Sequence, residues 1–117
     1  MWFGGMVLKI YLGLGETDMR KSVDGLSILV SECLGEDPFS GHMFVFCNGR
    51  RTILKILYWD RNGFCLWYKR LEKDKFQWPE SENEVKEISL RQLDWLIEGL
   101  EIDQSGAHES LNYEEVY

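Results

Sequence analysis

Two Asn-Gly dipeptides, Asn48-Gly49 and Asn62-Gly63, split the middle of this chain into three short apolar runs: Met43 to Cys47, Thr52 to Trp59 and Phe64 to Leu71. Runs of this length, rich in β-branched and aromatic residues, read as strands. Asn-Gly between two of them is a strong hairpin signal, because both residues tolerate the positive φ that a type I′ turn requires. The expected unit is a three-stranded antiparallel meander. If the second hairpin closes with a two- or four-residue loop, odd positions of its first strand share a face with even positions of its second. One face then carries Lys55, Leu57, Trp59, Leu66, Tyr68 and Arg70. The other carries Leu54, Ile56, Tyr58, Cys65, Trp67, Lys69 and Leu71, and is expected to be the core side.

Elements on both sides of the meander complete the expectation. Met6 to Leu12 is apolar and is followed by Gly13 and Gly15, which suits a first strand ending in a turn. Thr17 is placed to cap a helix whose apolar positions Met19, Val23, Leu26, Val30 and Cys33 recur at three- and four-residue steps, with Gly35 and Pro38 as its stop. Gly25 inside that helix suggests close approach to the sheet. Glu80 to Glu87 reads as a charged linker. Ser89-Leu90-Arg91-Gln92 is a capping box, flanked by Ile88 and Leu93 as a hydrophobic staple, and it opens a helix with Leu93, Leu96, Ile97 and Leu100 on its buried stripe. The fold class expected is α+β. It is a single domain over residues 1–102, built as strand, helix, three-stranded antiparallel meander and helix, followed by an acidic C-terminal tail over 103–117 that is flexible or ordered by a partner.

The length of 117 residues allows one core and not two. No apolar stretch approaches the roughly 20 residues of a membrane-spanning helix, and the N-terminus lacks the basic head and apolar run of a secretory signal. The expected location is the cytoplasm. Cys33, Cys47 and Cys65 are odd in number and widely spaced, which fits free, mostly buried thiols rather than a disulfide framework or a zinc site. The net charge of -7 conceals a division along the chain: up to Pro79 there are 11 Lys and Arg against 9 Asp and Glu, and from Glu80 onward 2 against 11. Within the first part, Arg50 to Lys75 holds 8 basic residues against 3 acidic ones. That segment is a locally basic surface.

Five blocks in order resemble the accessory-protein family of insertion-sequence-66 elements. They are Thr17-Asp18-Met19-Arg20-Lys21 with Asp24-Gly25-Leu26, then Asp37-Pro38-Phe39-Ser40-Gly41, Phe44-Val45-Phe46, Lys55-Ile56-Leu57-Tyr58-Trp59-Asp60, and Gly63 to Glu72 closing with Trp78-Pro79. The resemblance runs from about Val7 to Ile102. Arg50-Arg51-Thr52 is a less polar approach to its strand than the family commonly has. The resemblance implies a bacterial mobile-element protein encoded beside a separate transposase, on which transposition depends although the transposase carries the strand chemistry. Its implied partners are that transposase, a second accessory protein and DNA. It implies no cofactor. The chain does not resemble the much larger RNA-guided nucleases that share the family's short name.

The stretch from Arg50 to Trp78 interleaves cations with aromatic rings, the combination used for phosphate contact and base stacking. The candidate nucleic-acid residues are Arg50, Arg51, Lys55, Trp59, Arg61, Tyr68, Lys69 and Arg70, with Lys55 and Arg70 beside Trp59 and Tyr68 as the sharpest choice. The alternative is that the rings build the core while the cations solvate the sheet's outer face. Arg20 and Lys21 are secondary candidates, since a helix start there would favour a phosphate; against this, Asp18 would stabilise the helix terminus and Arg20 would pair with Asp24. Asp18, Asp24, Asp60 and Glu72 show no metal-ligand spacing, His42 and His108 are isolated, and the glycines near Gly13 lack the lysine of a phosphate loop. No catalytic or metal residue is therefore assigned. The functional expectation is a non-catalytic accessory protein that helps assemble the transposase–DNA complex by binding DNA, transposase or both. A pure protein adaptor docking on the transposase is the alternative, and the acidic C-terminal third favours it.

Overall fold

The computed structural model describes residues 8–80 and 85–104. The elements run β1 (Ile10–Gly13), α1 (Val23–Glu32), β2 (Met43–Cys47), β3 (Ile53–Asp60), β4 (Gly63–Arg70), β5 (Val85–Ile88) and α2 (Leu90–Ile97). The five strands form one sheet in the order β4-β3-β2-β1-β5. β1 and β2 are parallel, joined across α1, and every other pairing is antiparallel. The α+β class and the meander are as expected. The meander's register is Ile53↔Arg70 through Asp60↔Gly63, so the second hairpin closes on the two-residue loop Arg61-Asn62 and the faces alternate as read from the sequence.

Both faces of the sheet are buried, which corrects the expectation of a single core side. The larger core joins Ile10, Leu12, Met43, Val45, Leu54 and Ile56 to Leu93 and Leu96 of α2, with Phe76 and Trp78 closing it. The opposite face packs Phe44, Phe46 and Leu57 against Leu26 and Val30 of α1. The two helices thus lie on opposite sides of one sheet. α2 starts at the expected capping box: the Gln92 N–H donates to Ser89 Oγ at 3.1 Å, and the Ser89 N–H donates to Gln92 Oε1 at 2.9 Å. Leu100, placed on its buried stripe, lies beyond the helix and is 46% exposed.

Other expectations need correction. β5 occupies part of what reads as a charged linker, since the free edge of β1 offers backbone partners that its Lys86 and Glu87 do not advertise. α1 begins at Val23 and not after Thr17; Thr17 is buried and its N–H donates to the Cys47 carbonyl at 2.9 Å. Gly25 leaves room for Lys21, whose Cβ would lie 3.1 Å from an added methyl, and not for the sheet. The close approach belongs to Gly13, where a Cβ would come within 2.8 Å of the Phe46 ring. Neither Asn-Gly supplies the left-handed residue of its turn: Arg51 (φ 64) and Arg61 (φ 53) do. In the first turn the Asn48 side chain replaces the type I′ geometry, its Oδ1 accepting from the Thr52 and Ile53 N–H groups at 2.8 and 3.0 Å. All three cysteines are free, but only Cys47 is buried; Cys65 is half-buried and Cys33 exposed. Met6 and Val7 of the expected first strand, and the tail from residue 105 onward, lie outside the described residues.

Candidate nucleic-acid interface

The residues picked out by the sequence divide into four places. On the α1 side of the sheet, Lys55 lies at the centre of one group. Its Nζ donates to the carbonyls of Met19 and Lys21, each at 2.9 Å, and sits 5.9 Å from the centre of the Tyr68 ring. Lys55 therefore holds the turn before α1 against the sheet and is committed to protein acceptors. Tyr68 is 51% exposed and has Arg70 two positions on, on the same face of β4. This arrangement brings the backbone of residues 19–21 to the sheet face that carries Tyr68 and Arg70, although 34 positions and more separate the turn from Lys55.

Each guanidinium in the group has a local carboxylate. Arg20 donates through Nη2 and Nε to Asp18 at 2.6 and 3.0 Å, in place of the expected pairing with Asp24. The Arg20 hydrogen bonds hold the Asp18 carboxyl well below the usual carboxylate range, and the pair raises Arg20 in turn. Arg70 donates to Glu72 at 3.0 Å, which raises it likewise. Both pairs are exposed to solvent, which screens them, so a phosphate can take over either guanidinium at small cost.

Arg50 and Arg51 stand at the β2–β3 turn, at the same end of the sheet as Arg70. Arg50 is exposed. Arg51 is turned inward, its Nη1 donating to the Gly15 and Asn48 carbonyls at 3.3 and 3.2 Å and its Nη2 lying 3.8 Å from Glu80. At the other end of the hairpin, roughly 20–25 Å along the strands, the Arg61 side chain is exposed to solvent beside Asp60 at 3.7 Å. Trp59 there packs edge-on against Phe39 and Phe64, with ring centres 5.1 and 5.0 Å apart. Phe39, which is 58% exposed, was missed as a site residue; its place in the Asp37-Pro38-Phe39-Ser40-Gly41 block was the signal available. Lys69 is on the opposite face, where its Nζ donates to the Ile97 carbonyl at 2.9 Å at the end of α2.

Residues 8–107 match the family described as IS66 Orf2 like protein. The chain belongs to that family. IS66 Orf2-like proteins are tied to transposition of insertion elements, which places this chain in an accessory role there. Two proteins of Sinorhizobium fredii are similar to it. The one called uncharacterized protein y4hO is 35% identical over 97 residues, covering 83% of this chain and 84% of its own length. The one called uncharacterized protein y4jC is 34% identical over 94 residues, 80% of either chain. No solved structure matches. Among the described residues of this IS66 Orf2-like chain, no three His, Cys, Asp or Glu side chains are grouped to hold a metal ion, and no helix is long and apolar enough to cross a membrane.

Proposed function

We propose that this protein assists assembly of the transposase–DNA complex by touching DNA phosphates through Arg20, Lys21, Tyr68 and Arg70, with Arg50 at the same end of the sheet. The observation that carries the reading is the Lys55 clasp. It brings the turn that carries Arg20 and Lys21 to the sheet face that carries exposed Tyr68 and Arg70, so that cations from two distant segments are presented on one side of the sheet. An exposed ring flanked by guanidinium groups offers a base or sugar an apolar surface and a phosphate several charged donors. Arg61, Trp59 and Phe39 form a second contact point at the hairpin tip. Lys55, Lys69 and Arg51 serve the fold and make no phosphate contact in this proposal.

The adaptor reading has its own support. Arg20, Arg61 and Arg70 each stand beside a carboxylate, and exposed Phe39 beside Trp59 suits a protein surface as well as a base. Binding of element-end and random duplexes across a salt series separates the two. The DNA reading expects affinity to fall steeply with salt, with a slope near 0.9 per phosphate contacted. Arg20→Ala, Lys21→Ala and Arg70→Ala should each weaken binding to both duplexes and lower that slope by about 1. Absence of binding at low salt, with capture of purified transposase retained, would establish the adaptor instead.

A further inference from the structure

The sheet ends on one side in β5, with four residues, and on the other in β4, with eight. The outer edge of β4 is the longer line of unpaired backbone. Which groups face outward follows from the register. The Leu71 N–H donates to the Thr52 carbonyl at 2.8 Å, and bonded and non-bonded pairs alternate along an antiparallel ladder. The β4 positions bonded to β3 are therefore Gly63, Cys65, Trp67 and Lys69. Phe64, Leu66, Tyr68 and Arg70 aim their N–H and C=O groups away from β3, and among the described residues none of these groups has a backbone partner.

Two of the usual protections of such an edge, proline and a bulge, are missing, and its exposed charge, Arg70, is paired with Glu72. β4 contains no proline, pairs without a bulge from end to end, and Lys69, which could stand over the edge, is drawn back to the Ile97 carbonyl. Its side chains are also half covered: Phe64 and Leu66 on the α1 face and Trp67 on the α2 face are partly buried.

We propose that a second copy of this chain pairs with this edge, β4 against β4, antiparallel about a two-fold axis, so that two five-stranded sheets become one. The occupant is a second copy because the edge is self-complementary. A single register pairs all four outward-directed residues: it sets Leu66 opposite the partner's Tyr68 and Phe64 opposite the partner's Arg70. On the other face it sets Trp67 opposite the partner's Trp67, and Cys65 opposite the partner's Lys69. No like charges face one another along the strand, Arg70 meets an aromatic face, and the half-covered rings gain neighbours on both sides. The proposal requires no nucleic acid and stands or falls apart from the DNA reading.

The test is sedimentation equilibrium of the whole chain up to about 100 µM, a range that captures weak dimers, together with residue-resolved amide exchange. The wild type should reach a dimer as concentration rises, with the Phe64, Leu66, Tyr68 and Arg70 amides slowing in step. Tyr68→Pro removes an outward N–H and leaves the ladder to β3 intact; by symmetry it deletes two bonds, and dimerisation should weaken by roughly thirtyfold. Ile28→Lys, on an exposed position of α1, should leave it unchanged. A chain that stays monomeric with those four amides exchanging freely overturns the proposal, as does a dimer indifferent to Tyr68→Pro. Protection that appears only when transposase is added also overturns it, assigning the edge to a foreign strand. If Tyr68→Pro fails to fold, the concentration dependence of wild-type exchange decides.

Discussion

A lysine on the inner part of a sheet face is tolerable only if its ammonium finds acceptors. Lys55 and Lys69 find theirs in the carbonyls of Met19, Lys21 and Ile97. Replacing Lys55 by Met keeps the stem and removes the donors, and should lower the unfolding free energy by about 2 kcal/mol in urea titrations. Arg70→Ala, which loses one exposed and solvent-screened pair, should leave the urea midpoint close to that of wild type. The contrast explains where residue-level reading of the sequence succeeded and failed. That Lys55, Tyr68 and Arg70 share a face was legible from strand alternation. That Lys55 is occupied by carbonyls 34 and 36 positions away was not, because nothing in a run of alternating residues records which loop lies above it. Tyr68 and Arg70 needed no such partner to be recognised, since their exposure follows from the free edge of β4.

Elements were legible in proportion to how local their causes are. The capping box of α2 is contained in four consecutive residues, and it formed as read. Ser89→Ala should cost about 1 kcal/mol, measurable as a lowered midpoint in chemical unfolding, because the Gln92 N–H loses its acceptor at the helix start. The beginning of α1 was misplaced because Thr17 has the composition of a cap while its N–H is claimed by β2, an event at the level of tertiary structure. Ser22 takes the capping position without a side-chain bond, so no local signature marked it. β5 was missed for a related reason: Val85-Lys86-Glu87-Ile88 has only two apolar residues, and its extended form is imposed by β1. The two hairpins were found through Asn-Gly, yet the asparagine side chain and two arginines do the turning, which shows that a correct turn position does not require the correct turn type.

At the scale of the molecule, both cores share one sheet, so neither helix can leave its face without exposing residues that alternate with the other core. Phe44 and Phe46 are buried under α1, while Met43, Val45 and Cys47 are buried under α2. Unfolding should therefore be a single transition, with fluorinated tryptophan at Trp59 on the α1 face and Trp67 on the α2 face reporting the same midpoint. Separate midpoints would mean that one layer melts alone. The chain's path has a consequence for synthesis as well. β1 pairs with β2 on one side and with β5 on the other, and Ile10 meets Ile88 across 78 positions. The central strands are thus ready early, while β1 keeps an open edge until nearly the whole domain has left the ribosome. A chain cut short before Val85 would leave β1 without its antiparallel neighbour and Ile10, Leu12, Met43 and Val45 without Leu93 and Leu96 to cover them.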